Sequence, residues 1–151
     1  MATGWGRRYR QKMQQWAVLG TGTFESMFAG LDTNTSVNDD GSNVTAGTTE
    51  PSSTGGYARQ AISWATPASG ALDATVPALN SVAISWTSSA AWSTAATTLK
   101  VLTIWNTATL SPTTEATFVG RAAIAVPQAV NASGITLTVA ISGLSMGFIS
   151  A

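Results

Sequence analysis

The chain has 151 residues, enough for one domain with a sizeable core and too few for two comfortable ones. Charged residues make up 9% of it and its formal net charge is zero, where an ordinary soluble domain carries roughly 25% charged residues. It holds neither cysteine nor histidine, which excludes a disulfide framework, thiol and imidazole catalysis, and zinc sites built from those ligands.

With so few charges, Ser, Thr, Ala and Gly must cover most of the surface. A chain of near-zero net charge associates readily, so this surface suits a protein largely covered by partners. A secreted Ser/Thr-rich β domain is the alternative. No apolar run approaches the ~20 residues of a membrane span, and no apolar stretch follows the basic N-terminus as a secretory signal requires. The N-x-S/T triplets at Asn34, Asn43 and Asn131 are expected by chance in so Ser/Thr-rich a chain.

Residues 5–19 read as a short amphipathic helix within an N-terminal docking unit, 1–22. Trp5, Tyr9, Met13 and Trp16 recur at spacings of four, four and three, which groups them within about 80° of a helix face. Arg7, Arg8, Arg10 and Lys12 supply four of the chain's seven basic residues, and Gly20 and Gly22 are natural stops. The first twelve residues thus carry +4, and residues 13–151, with three basic and seven acidic side chains, carry −4.

Residues 23–151 read as a single β domain. "FESMFAGL" (24–31) is its first strand, followed by a long exposed loop over 32–56, dense in turn formers. Strands then recur at 57–65, 79–86, 98–105, 116–126 and 134–142, and "SMGFIS" is a short closing strand. In 57–65, Ala58, Ile62 and Trp64 share one side, Tyr57 and Arg59 the other. In 79–86, Val82, Ile84 and Trp86 share a face. "TLKVLTIW" (98–105) is apolar on both faces, as a central strand is. In 134–142, Ile135, Leu137, Val139 and Ile141 alternate strictly with small or polar residues. Pro67, Pro77, Pro112 and Pro127 fall between or at the ends of these runs. The pattern predicts an all-β fold, an antiparallel β-sandwich or flattened barrel, with a short N-terminal amphipathic helix.

Chemistry is hard to place on this chain. Of its seven acids, Asp39, Asp40 and Glu50 lie in the loop without an evident framework to raise a pKa. "NDDGSN" (38–43) lacks the spacing and bidentate glutamate of a calcium loop and reads as an Asx-rich turn. No catalytic residues, cofactor or metal ligands are expected. Trp64, Trp86 and Trp105 sit at strand positions that suit core packing, and Trp92, in "SSAAWSTAAT", is the candidate for an exposed platform. The basic stretch could touch phosphates, but only Arg59, Lys100 and Arg121 lie beyond it, so no basic track continues and no specific nucleic acid is expected. A membrane surface would want a wider apolar face than one aromatic stripe. A docking role fits better, with Trp5, Tyr9 and Trp16 packing on protein and Arg7, Arg8 and Arg10 facing an acidic neighbour. Arg59 shares a strand face with Tyr57, from which it could reach back to Glu50 and pin the long loop.

The order of several stretches resembles a family of small tailed-bacteriophage virion proteins, often labelled tail-fibre-like or head-decoration proteins. The stretches are "GLDT" (30–33), "DDG" (39–41), "EPSSTGGYARQAI" (50–62), "VLTIWNTAT" (101–109), "FVGRAAI" (118–124) and "PQAVNASG" (127–134). They span most of the chain from residue 24 onward, with "GGYARQ" the most specific. The more basic N-terminal segment and the "SMGFISA" ending depart from the family pattern. The resemblance implies a non-enzymatic structural part of a virion and does not fix its place on the particle. Taken with the docking segment and the low charge, the expectation is a protein that decorates or cements the capsid surface rather than the tail, partnered by the major capsid protein or other virion subunits and by copies of itself. A tail or tail-fibre component binding a receptor or glycan through Trp92 and the loop is the alternative, and a secreted carbohydrate-binding β module a third.

Overall fold

The computed structural model describes residues 4–6, 11, 26–34, 37, 38, 40–65, 78–92, 98–110 and 117–146. Within them run β1 (Gly4–Trp5), β2 (Met27–Asp32), β3 (Gln60–Ile62), β4 (Ala78–Leu79), β5 (Ile84–Thr87), β6 (Leu99–Trp105), β7 (Phe118–Gln128), β8 (Thr136–Val139) and β9 (Ser145–Met146), with one 3-10 turn at Thr54–Gly56. Every strand pairing is antiparallel. The main sheet has the order β1-β7-β6-β2-β3, and two smaller sheets pair β4 with β9 and β5 with β8. No closed barrel forms among the described residues.

The centre of the main sheet follows from its sequence. β6 is buried along both faces because each has a cover. On one face Leu102 and Ile104, with Ala29 and Leu31 opposite them on β2, join Ile84 and Trp86 of β5 in the main core. On the other face Val101 and Trp105 meet Phe118, Val37 and Val44 in a second cluster. The last two belong to the segment expected to be an exposed loop. The loop is exposed only in part: Ser42, Thr45, Gly47, Thr48 and Ser53 are exposed, but Val37 and Val44 turn in against the sheet, 2% and 0% exposed. Burying two valines contributes about 3–6 kcal/mol, part of what offsets the entropy of ordering a polar segment over the sheet's second face. The "NDDGSN" stretch turns on side-chain-to-backbone bonds, Ser42 N–H to Asp40 Oδ1 and Asn38 N–H to Asn43 Oδ1, and Gly41 (φ 69°) packs against the Phe118 ring.

β4–β5 and β9–β8 are two halves of one long ladder, interrupted at residues 80–83 and 140–144. Asn80, fully buried, fills the gap. Its amide donates to the Val82 and Ala140 carbonyls (2.9 and 2.8 Å), and its Oδ1 accepts the Leu144 N–H at 2.8 Å. The break overturns two inward assignments. Val82 and Ile141 are 56% and 62% exposed, because the backbone leaves strand geometry while the apolar alternation carries on. Trp64 bridges to Asn80 and is only half-buried, so the strand leaving β3 runs alongside this second ladder.

The helix expected from residue 5 is also corrected at its start. Trp5 lies extended in β1, opposite Gly120, and the Gly6 N–H donates to the Val119 carbonyl at 2.6 Å. The unpaired edge of β7 offers backbone bonds that the helical spacing of aromatics does not take into account. Arg7, Arg8, Tyr9, Arg10 and Trp16 lie outside the described residues, as does the rest of the docking unit apart from residues 4–6 and Gln11, and as do residues 147–150 of the closing strand.

Candidate functional site

β2 ends in Asp32, and the chain turns there because Asp32 holds its own successor. The Asn34 N–H donates to Asp32 Oδ1 at 2.7 Å. The far end of the loop returns to the same carboxylate, through the Thr49 hydroxyl on Oδ2 at 2.9 Å and the Thr33 N–H on the Thr49 carbonyl at 2.9 Å. One residue later the Thr45 carbonyl accepts the N–H groups of Thr48, Thr49 and Glu50 in a tight turn, which aims Glu50 down into the sheet.

Glu50 meets three donors there. Its Oε1 accepts from Arg59 Nε (2.8 Å) and the Tyr57 hydroxyl (3.0 Å), and its Oε2 from Arg59 Nη2 at 2.7 Å. Both side chains of this bidentate pair are wholly buried. The planar guanidinium fork suits such a contact in a way an ammonium does not. Arg59 also donates through Nη1 to the Thr109 carbonyl at 2.9 Å, and its Cζ lies 4.0 Å above the Trp105 ring. The Tyr57 hydroxyl in turn accepts the Leu31 N–H at 2.8 Å. Gly30 makes the space: a Cβ on it would stand 2.6 Å from Glu50 Oε1 and 2.8 Å from Thr103 Oγ1.

Burial raises the Asp32 carboxyl from its ordinary 3.8 to about 6, against the lowering pull of the bonds from Asn34 and Thr49, and the Glu50 charge adds to the rise. Burial, then the same Glu50 charge, hold the Tyr57 phenol well above its ordinary 10.0, so it remains a donor at neutral pH. The centre is closed: its buried carboxylate is met by three internal donors and its cation lies between Glu50 and an aromatic face. Such a centre fixes where a loop lies, and it presents no free acid or base to a substrate. Among the described residues no group of three or more acids could hold a metal ion, and no helix is long and apolar enough to cross a membrane.

Of the residues singled out from the sequence, Glu50 and Arg59 are brought together. Glu50 was also grouped with loop acids that lack a framework, and that reading is corrected by the partners just described. Trp92 is not a presented platform. It is half-buried, its indole N–H donates to the Gly55 carbonyl at 2.7 Å, and its ring stands edge-on to Tyr57 at 5.3 Å. Asp32, Gly30, Thr49 and Tyr57 form part of the centre without having been assigned a role in it. For Gly30, Asp32 and Tyr57 the signal lay in "GLDT" and "EPSSTGGYAR", since both stretches converge here along with Thr103, Trp105 and Thr109 of "VLTIWNTAT"; Thr49 lies outside all three. No family model matches the chain, and no curated protein matches it.

Proposed function

We propose that the protein is a non-enzymatic structural subunit of a phage virion, decorating or cementing the capsid, with its two packed layers forming a β-sandwich. The observation that carries this reading is where the charges lie. Of the six charged residues among those described, Asp32, Glu50 and Arg59 are buried and Asp40, Lys100 and Arg121 are half-buried; none is exposed. A free-standing soluble domain keeps its charges in water. This one places three of the six described charges in a buried centre that fixes a loop, and the described surface is largely hydroxyls and methyls, suited to contact with other subunits. The basic stretch Arg7, Arg8 and Arg10 supplies the opposite of the −4 carried by residues 13–151, and on this reading it faces an acidic surface on a neighbouring virion subunit. Packing of Trp92 onto Tyr57 and Gly55 removes the residue on which a glycan-binding reading chiefly rested.

The test is to label the protein on particles that carry it and to count its copies. Many copies spread over the shell support decoration; a few copies at the tail overturn it in favour of a tail component; absence from particles overturns both. Replacing Arg7, Arg8 and Arg10 together with Gln should reduce incorporation, and added salt should weaken incorporation of the unaltered chain.

A further inference from the structure

The main core is unfinished on one side. Leu137 and Val139 point inward from β8, yet both stay half-buried, whereas Trp86 and Ile84 opposite them on β5 are buried. Beside them a groove of about 590 Å³ opens between β8 and the second half of β7, reaching down to Leu31, Leu102 and Leu144. Both walls are strand edges. β8 pairs with β5 alone among the described residues, and β7 meets β1 only at Gly120 and Arg121, leaving the outer edge of Ala122–Gln128 without a described strand.

Soluble proteins blunt such edges with Lys, inward charges or bulges that twist the strand away. β8, "TLTV", has no charged residue and no proline, and residues 122–151 contain no charged side chain at all. At the rim Val126 and Ile141 are 66% and 62% exposed. An open edge, an apolar groove and exposed aliphatic rims on one uncharged face form a surface built to be covered.

We propose that this face binds a second copy of the chain, edge to edge through β8. Charge selects the occupant. Nothing charged lines the groove, so it offers no ionic recognition to an acidic or basic partner. The uncharged, strand-shaped surface that matches it is the face itself, and a formal net charge of zero sets up no repulsion between copies. A two-fold axis beside β8 sets the two edges antiparallel, so each copy gives and receives the same contacts. Every second N–H and C=O of β8, which points away from β5, then gains a partner, and Val126 and Ile141 close over the groove mouths. The proposal does not rest on the virion reading: particle labelling and mass in solution succeed or fail separately.

The experiment is the solution mass of the full chain by light scattering and sedimentation over a dilution series. A species of twice 15.5 kDa that dissociates on dilution is expected. Thr138→Lys places two lysines beside the shared edge and should raise the dimer Kd by roughly a hundredfold, with the β circular dichroism signal retained. Ser53→Lys, the same charge change on the exposed loop far along the chain, should leave the Kd unchanged. A chain that is monomeric throughout overturns the proposal and assigns the groove to another part of the chain or to a different protein. A folded Thr138→Lys variant that dimerises like the original also overturns it. Should Thr138→Lys fail to fold, amide exchange in the unaltered chain decides: Thr136 and Thr138 should be protected when concentrated and exposed when dilute, and concentration-independent exchange refutes the dimer.

Discussion

Replacing Glu50 by Gln keeps the shape of the side chain and removes its charge. In the structure Glu50 Oε2 accepts from Arg59 Nη2 at 2.7 Å and Oε1 accepts from both Arg59 Nε and the Tyr57 hydroxyl. An amide in place of Oε2 sets donor against donor, and the guanidinium is left buried without a counter-charge. Breaking a wholly buried pair from one side costs about 3–5 kcal/mol, against ~0.2–1 kcal/mol for an exposed one. Arg59→Met keeps an apolar stem over Trp105 but strands the carboxylate with Tyr57 as its only remaining partner, and should lose a similar amount. The double variant carries neither buried charge, so the two losses should not add, and the coupling energy should reach about 2–3 kcal/mol. Urea unfolding followed by tryptophan fluorescence reads all four corners of the cycle, because Trp105 lies under the guanidinium. A domain of this size has ~5–15 kcal/mol in total, so each single variant should stay measurably folded. Single losses below about 1 kcal/mol, or coupling below about 0.5 kcal/mol, would refute the reasoning, since the pair would then behave as though solvated.

The Asp32 carboxyl is raised from 3.8 to about 6 in the folded chain, so the native state holds a proton that the unfolded state has released. Its contribution is complete below pH 3.8 and is lost as pH rises through about 6, a fall of roughly 3 kcal/mol; Asp32→Asn should flatten that part of the stability–pH profile and be the more stable chain at pH 7. Gly41→Ala should cost about 1–3 kcal/mol in urea unfolding, since φ is 69° and the new Cβ would stand 2.8 Å from the Phe118 ring. Asn80→Asp should lose about 2–4 kcal/mol, because the two carbonyls that now receive an amide would face a carboxylate, and hydrogen exchange should show the loss first at Ser142–Leu144.

The strands were legible where side chains alone decide them. β6 is apolar on both faces, and the sheet it centres is covered on both; the strict alternation of 135–139 places Leu137 and Val139 inward from β8. What could not be read depends on partners distant in the chain. The reach of Arg59 back to Glu50, nine residues away, was legible from the shared strand face of Tyr57 and Arg59; the burial of the pair was not, because it depends on the Thr109 carbonyl 50 residues from Arg59 and on the Trp105 ring. The breaks at Val82 and Ile141 were hidden for the same reason: one buried asparagine, Asn80, reaches 60 and 64 residues to close them. Trp5 was misplaced because periodicity records what a helix would gain and is silent about a β7 edge more than a hundred residues on.

A chain poor in charge that buries three of the few it has sets two opposing demands on itself. Desolvating Asp32, Glu50 and Arg59 is unfavourable unless every lone pair and proton is met, and the carboxylates and phenol of this centre all have partners, drawn from β2, the loop, the strand leading into β3 and the segment after β6. Those partners are compatible with one placement of the loop. Apolar contacts from Val37 and Val44 press the loop onto the sheet without choosing its register, since hydrophobic burial is non-directional. The polar centre supplies the direction. The loop is therefore held as a fixed relief on one side of the main sheet, while the opposite side ends in β8 and Ala122–Gln128 of β7, whose outer edges no described strand pairs. If the proposed dimer forms, the fixed loop face lies opposite the shared edge and stays available to a different neighbour.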